Sequence, residues 1–378
     1  MRRSLSHAAR FGLVVLVLAA CAPAGAPASP AATGPGPAVS APATAAPTTS
    51  AAAPASPPEL VTVRVGMIPS LAGAPLLAGA DLGIFERNGI QLEITPFTDT
   101  AAAMTQVVAG HLDVGHITIG SASLNAFSRG VDLTILNSGA LASSPMMVRK
   151  DLVDDGSFRS VADLRGRRIS INTKGVIHEY VLYKILESGG LTFDDVEIPL
   201  LPWPDQVTAL GNKAIDAGIV VEPIGSQAVA RGVAILYQPP DAAARGEPWF
   251  APGLQGAYVM ANRRWAEANP TAAIAVVKSY VQAARRIQGP RIFEDDAALA
   301  AIERWTKVTP EAVRRSTPSY FALNGQVHVE TLMDAQRYFI QSGSTTYREP
   351  LTIEQLHDDR YVQAALAEIG VVPDQTTE

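Results

Sequence analysis

The stretch ILESGGLTFDDVEI, Ile185–Ile198, passes from a helical apolar pattern through a glycine stop into a β-rich segment. FERNGIQLEI, Phe85–Ile94, runs through the same order about a hundred residues earlier. Each copy is followed by a second matching pair, HLDVGHI (His111–Ile117) and KAIDAGI (Lys213–Ile219). The spacing agrees too, since Gly89 precedes Asp113 by 24 residues and Gly190 precedes Asp216 by 26. Two similar α/β lobes are the simplest architecture this order allows, and a solenoid is excluded because it needs three or more repeats.

Around this repeat the elements can be placed. LVTVRVGMI, Leu60–Ile68, reads as the first strand, PSLAGAP as the loop after it, LLAGADLG onward as helix, and Ile90–Ile94 as the next strand. A helix is expected over about Ala101–Ala109. In the second lobe RRISI, Arg167–Ile171, alternates like a strand, and DDVEI is expected to be its neighbour. NTKGVIHEYVLYKIL, Asn172–Leu186, then starts a helix, with Ile177, Val181 and Ile185 at helical spacing beside Leu182 and Leu186. After Leu236 a Pro, Ala and Gly-rich loop leads to AYVMANRRWAEANP and three amphipathic helical stretches through Gly343. A late return of the chain to the first lobe makes two crossovers, and therefore a hinge.

The chain has 378 residues, 47% of them hydrophobic and 17% charged, enough for a sizeable core and against wholesale disorder. It opens on MRRSLSHAARFGLVVLVLAAC, a basic start and an apolar run from Phe11 to Ala20 that falls short of the roughly 20 residues of a spanning helix. Residues 1–20 are expected to be an export signal. LAAC, Leu18–Cys21, resembles the lipobox of bacterial lipoproteins, which implies cleavage before Cys21 and acylation of its sulfur.

Residues 21–59 read as a tether whose Ala22–Pro58 stretch is almost entirely Ala, Pro, Ser, Thr and Gly, without apolar periodicity, and reaches at most about 115 Å. Cys21 is the chain's single cysteine, so its lipidation leaves no disulfide, no thiolate nucleophile and no cysteine-ligated metal. Loss of Arg2, Arg3 and Arg10 from 30 basic residues, against 36 acidic ones, leaves a balance of −9. Such a surface is a poor partner for nucleic acid.

Four segments carry a family resemblance: VRVGMIPSLAGAPLLAGADLGIFERNGIQLEI, VVAGHLDVGHITIGSASLNAFSRGVDLTIL, DLRGRRISI and DQVTALGNKAIDAGIVVEPIGSQAVARG. In this order they resemble the substrate-binding proteins of bacterial ABC importers of the nitrate, sulfonate and taurine type, a superfamily that also holds thiamine-precursor binding proteins and pyrimidine synthases. The resemblance implies a type II periplasmic-binding-protein fold, with residues 60–147 and 250–345 in lobe 1, 148–240 in lobe 2, and 346–378 as a helical tail on lobe 1. It implies a monomer that closes over a small-molecule ligand, delivers it to a membrane ABC permease, uses no cofactor and is not an enzyme. An enzyme on the same fold, or a surface sensor, is the alternative; the synthase's cysteine-rich segment is missing.

In open α/β lobes ligands settle beyond the carboxyl ends of strands, where helix N-termini present free amides. That rule selects Ser70, Leu71 and Ala72, then Thr98 and Asp99, then Thr118, Gly120 and Ser121 in the first lobe. In the second it selects Asn172, Thr173, Lys174, Gly175 and His178, with the Thr-Lys-Gly loop placed to offer its amides. Helix capping competes for each of these hydroxyls. Glu222, in the Glu-Pro pair common after the Asp-Ala strand of the family, is expected either to accept from a ligand amine or to pair with Lys174. Trp203, Tyr180 and Tyr258 lie near the expected cleft, Trp265 and Trp305 in helical repeats, and Trp249 and Phe250 in a loop suited to a lid. His111, His116, His178 and Glu222 lack metal-ligand spacing. No GxxxxGKS loop, GxSxG elbow or dinucleotide fingerprint occurs.

Overall fold

The computed structural model describes residues 60–141, 146–237 and 254–373. Cys21, the export signal, the tether, Trp249 and Phe250 lie outside them. The first sheet is built from β1 (Val61–Met67), β2 (Ile90–Pro96), β3 (Val114–Thr118), β4 (Thr134–Ser138) and β9 (Ala257–Ala261) in the order β2-β1-β3-β9-β4. The second holds β5 (Met146–Arg149), β6 (Ile169–Ser170), β7 (Ala217–Ile219) and β8 (Ala234–Tyr237) in the order β6-β7-β5-β8.

The two sheets share one plan. β1 pairs in parallel with β2 and β3, and β6 in parallel with β7. In each sheet the strand arriving from the other lobe is antiparallel to both neighbours: β9 lies between β3 and β4, and β5 between β7 and β8. The expected strand at DDVEI is reduced to two single bridges, Arg168 with Glu197 and Ile171 with Leu200, in the place that β2 fills in the first lobe. Pro199 stands between those bridges and has no N–H to extend a ladder.

The helices of the first lobe are α1 (Ala74–Asp81), α2 (Ile84–Arg87), α3 (Thr100–Val108) and α4 (Ser121–Ser128). Gly83, at φ +67°, splits α1 from α2, so the long helical stretch expected there is two. In the second lobe come α5 (Lys150–Asp154), α6 (Ile177–Ser188), α7 (Trp203–Gly211) and α8 (Ile224–Ala230). After β9 the chain forms α9 (Arg263–Ala268), α10 (Pro270–Arg286), α11 (Asp296–Thr306), α12 (Pro310–Arg314), α13 (Val329–Gln341), α14 (Ile353–Leu356) and α15 (Arg360–Ile369). α10 buries Ala273, Val276, Val277, Tyr280, Val281 and Ala284, a stripe at helical spacing, in the core that holds β1 and β9.

α13, expected with the first lobe, packs on α6 of the second. Its Tyr338 ring lies 4.8 Å from Tyr183 and 5.5 Å from Tyr180, and Tyr180 donates its hydroxyl to Asp334 at 2.5 Å. The chain beyond α13 returns to α4, where the Thr346 amide donates to Asn125 Oδ1 at 2.6 Å. The two crossovers run side by side: the Gly139 amide donates to the Ala257 carbonyl at 2.9 Å, and the Gly256 amide to that of Ala140 at 3.1 Å. Among the described residues no helix is long and apolar enough to cross a membrane.

Candidate functional site

Two contiguous chambers lie between the lobes. The hinge-side chamber, about 120 Å³, is floored by the crossovers at Ala140, Leu141 and Gly256. The other, about 390 Å³, extends toward the loops that carry Gly120 and Gly175. Ile68, Thr100, Thr118, His178 and Trp203 line both. The position of the cleft follows from the parallel strands, since β1, β3, β6 and β7 all point their carboxyl ends at it.

The strand-end rule places most of the expected residues on these walls. Ser70, Leu71, His178 and Glu222 line the hinge-side chamber, and Ser121, Thr173, Lys174 and Gly175 the other. Ser70 precedes a short 3-10 turn and makes no side-chain capping bond. Asp99 does cap, its Oδ1 accepting from the amides of Ala101 and Ala102. Thr118 Oγ1 lies 3.2 Å from Thr100 Oγ1. Tyr258 lines neither chamber: it sits on β9 between β3 and β4, 1% exposed, and burial pushes its phenol pKa up. Tyr180 is likewise committed to the core and to Asp334 rather than to the cleft.

Two expectations are corrected. Glu222 does not pair with Lys174; its carboxylate accepts from the Ser226 amide and hydroxyl, both at 3.0 Å, and from the Thr317 amide at 3.1 Å. These bonds tie the β7–α8 turn to the segment after α12, and Lys174 forms no ion pair among the described residues. The Thr-Lys-Gly loop does not offer the Gly175 amide to a ligand. That amide donates to the Glu179 carboxylate four residues on, at 2.6 Å to Oε2.

The Gly175 carbonyl instead latches the lobes, accepting from the Ser121 amide at 2.8 Å and its hydroxyl at 3.1 Å, beside a bridge between Gly120 and Val176. Both glycines are required by the close approach. A Cβ on Gly120 would fall 2.6 Å from the Gly175 carbonyl oxygen, and one on Gly175 2.4 Å from Ser121 Oγ.

The chemistry of the hinge-side chamber rests on two histidines. His116, on β3, is 5% exposed and His178, on α6, 7% exposed. Burial pushes each imidazole down to about 4, so both are neutral at pH 7. His116 Nε2, His178 Nδ1 and the Trp203 indole Nε1 are buried without a protein partner, as is Asn172 Oδ1 next door. His178 meets Trp203 edge to face with ring centroids 5.3 Å apart. Unpaired polar atoms on otherwise apolar walls are costly in isolation and are suited to meeting a ligand. Among the described residues no cluster of His, Cys, Asp or Glu is placed to hold a metal ion.

His116 and Ser319 were not among the residues expected from sequence. His116 had a signal, because it lies two residues before Thr118 on the same strand and so shares its face. Ser319 had none, since the segment after α12 reaches the cleft only through the tertiary fold.

Two α/β lobes with duplicate sheet order, linked by paired crossovers around a cleft, define the type II periplasmic-binding-protein fold. The chain belongs to the NMT1-like family, whose profile matches residues 56–302. It is 27% identical over 165 residues to a Brucella abortus protein named as a binding protein, a match covering 43% of this chain and 49% of the relative. The chain thus spans about half the length of the curated relatives it matches.

Among solved structures it resembles the aliphatic sulphonate binding protein SsuA from Escherichia coli, with a TM-score of 0.63, 16% identity, and 80% and 99% of the two chains covered. The nitrate-binding protein NrtA from Synechocystis gives 0.62, 14%, and 84% and 91%. The desulfurization enzyme DSZB gives 0.55, 17%, and 82% and 99%. At such identities these are likenesses of fold.

Proposed function

We propose that this protein is the solute-binding component of an ABC importer, anchored outside the cytoplasm through lipid on Cys21, which captures a small solute between its lobes and hands it to a membrane permease. The observation that carries the reading is the pair of buried, neutral histidines, each with a ring nitrogen unpaired among the described residues, on the walls of an apolar chamber between two hinged lobes. A binder of this plan shifts an open–closed equilibrium by the difference in its affinity for the two states.

The wall chemistry separates the solute classes suggested by the family. Among the described residues no arginine lines either chamber, while the Glu222 carboxylate lines the hinge-side one. A bare nitrate or sulfonate placed there would meet a negative charge and no strong cation. The end of the solute lodged against His116 is therefore uncharged or cationic, as in an aminopyrimidine-like ring.

Thermal unfolding with a panel of nitrate, taurine, alkanesulfonates and aminopyrimidines tests this reading. A ligand at a hundred times its Kd stabilises a native state by about 2.7 kcal/mol. A shift with ring compounds and none with nitrate or taurine is expected; a flat response to the whole panel defeats the binding reading. The enzyme likeness within the fold motivates one further check, that a bound solute is recovered unaltered after prolonged incubation.

A further inference from the structure

We infer that the cleft is built for a two-part solute: an uncharged ring carrying a heteroatom in the hinge-side chamber, joined to an anionic group in the neighbouring chamber beside Lys174. This rests on the binding reading above and adds to it the second half of the ligand and its orientation.

The unpaired atoms form a series through both chambers. His116 lines only the hinge-side chamber, His178 and Trp203 line both, and Asn172 and Lys174 line only the far one. His116 and His178 are more than nine-tenths buried and retain an unpaired ring nitrogen each. A solute confined to one chamber would lie against only part of this series of residues; one that spans both lies against all of it. Trp203 Nε1 can only donate, so the solute needs an acceptor near the middle.

Charge fixes which way round the solute lies. Among the described residues the formal charges on the walls are Glu222 at the hinge side, with Asp99 and Lys174 in the far chamber. Glu222 is buried, and its carboxylate repels an anion from the hinge-side chamber even though it is satisfied by Ser226 and Thr317. Asp99 Oδ1 is occupied by the amides at the start of α3, which spread its charge. The Lys174 ammonium has no ion pair among the described residues and is the cation free to meet a carboxylate or sulfonate. The solute's dipole therefore runs with its negative end away from the hinge.

The full chain, titrated calorimetrically with nicotinate, nicotinamide, picolylamine and acetate, tests this arrangement. These probes share one ring with an anionic, neutral or cationic group, or carry the anion without the ring. Nicotinate is expected to bind about fivefold more tightly than nicotinamide, as one part-exposed charge pair provides, and picolylamine and acetate more weakly than both. Lys174→Ala should bring the nicotinate-to-nicotinamide ratio to about one, and His178→Phe should weaken both ring compounds together. Equal binding of the amide or the amine, acetate matching nicotinate, or an unchanged ratio in Lys174→Ala overturns the inference. If none of these four binds while an aminopyrimidine of the wider panel does, the inference falls and the binding reading stands; if nothing in either set binds, both fall.

Discussion

Asp113 and Asp216 occupy one structural position twice, once in each lobe. Asp113 accepts the main-chain amide of Arg64 at 2.8 Å and its guanidinium at 2.6 and 3.0 Å, and returns its own amide to the Arg64 carbonyl at 2.9 Å. Asp216 accepts the amide of Arg168 at 3.0 Å, lies 3.5 Å from its Nε, and returns its amide to the Arg168 carbonyl at 2.8 Å. Each arginine also reaches the carbonyl of a residue with positive φ three before the aspartate, Gly110 at 3.2 Å and Lys213 at 2.8 Å. The duplicated Asp-x-Gly motif is thus a clamp between β1 and β3 in one lobe and β6 and β7 in the other, its main-chain bonds repeated while Asp216 takes its guanidinium hydrogen bond from Arg149 at 3.1 Å.

The clamp is expected to matter through its buried carboxylate more than through its exposed arginine. Asp113→Ala should cost about 3 kcal/mol, since it strips a part-buried main-chain amide and a guanidinium of their buried acceptor. Arg64→Ala should cost about 1 kcal/mol or less, because that side chain is 44% exposed and well solvated. Urea midpoints would measure both. Equal losses would mean that the ion pair, and not the amide bond, holds the strands.

Gly175 separates backbone strain from lobe contact. Gly175→Ala places a Cβ on a residue at φ +74° and 2.4 Å from Ser121 Oγ across the cleft. Gly166→Ala, at φ +72° with nothing within 4 Å, carries the same strain alone, about 1 kcal/mol. Small-angle scattering should find the Gly175 variant more open and the Gly166 variant unchanged in shape, with similar unfolding midpoints. Identical scattering curves for the two would remove the latch.

Much of this fold was legible because its signals are local. The helix of α6 appeared in Ile177, Val181 and Ile185, all buried as expected. The repeat appeared because a clamp made twice needs Asp, Gly and a positive-φ residue at the same spacing twice. DDVEI misled because alternation alone does not register that Pro199 removes a ladder donor. Ser70, Thr118 and His178, which the strand-end rule selects, and Glu222, which the family resemblance selects, all line the cleft. The partners of Glu222 and the packing of α13 were not, since Thr317 and Asp334 lie 95 and 154 residues from Glu222 and Tyr180 and no periodic pattern links them.

Tyr180 and Asp334 tie α13 to α6 of the second lobe. Tyr180→Phe keeps the ring among Tyr183 and Tyr338 and removes only the hydroxyl's bond to the carboxylate. The expected cost is about 1.5 to 3 kcal/mol, the range for a hydrogen bond to a charged group. Hydrogen exchange should accelerate along Val329–Gln341 more than along α10. Uniform acceleration across the protein would show that α13 is not held by this bond in particular.

The two cleft histidines set a pH window for stability. Burial lowers each from 6.5 to about 4, so the unfolded chain takes up two protons that the folded chain refuses between those values. Stability contributed by their neutrality is complete above about pH 6.5, declines as pH falls through the interval, and levels off below about pH 4. The slope reaches at most about 2.7 kcal/mol per pH unit for two rings. Asp151, held down to about 2 by its hydrogen bonds to Lys213 and Arg149, loses its contribution only below 3.8, outside that window. His178→Phe should halve the slope between pH 4.5 and 6 in urea titrations, and adding His116→Gln should flatten it. An undiminished slope in the double variant would place the proton uptake elsewhere and deny the histidines their buried, neutral state.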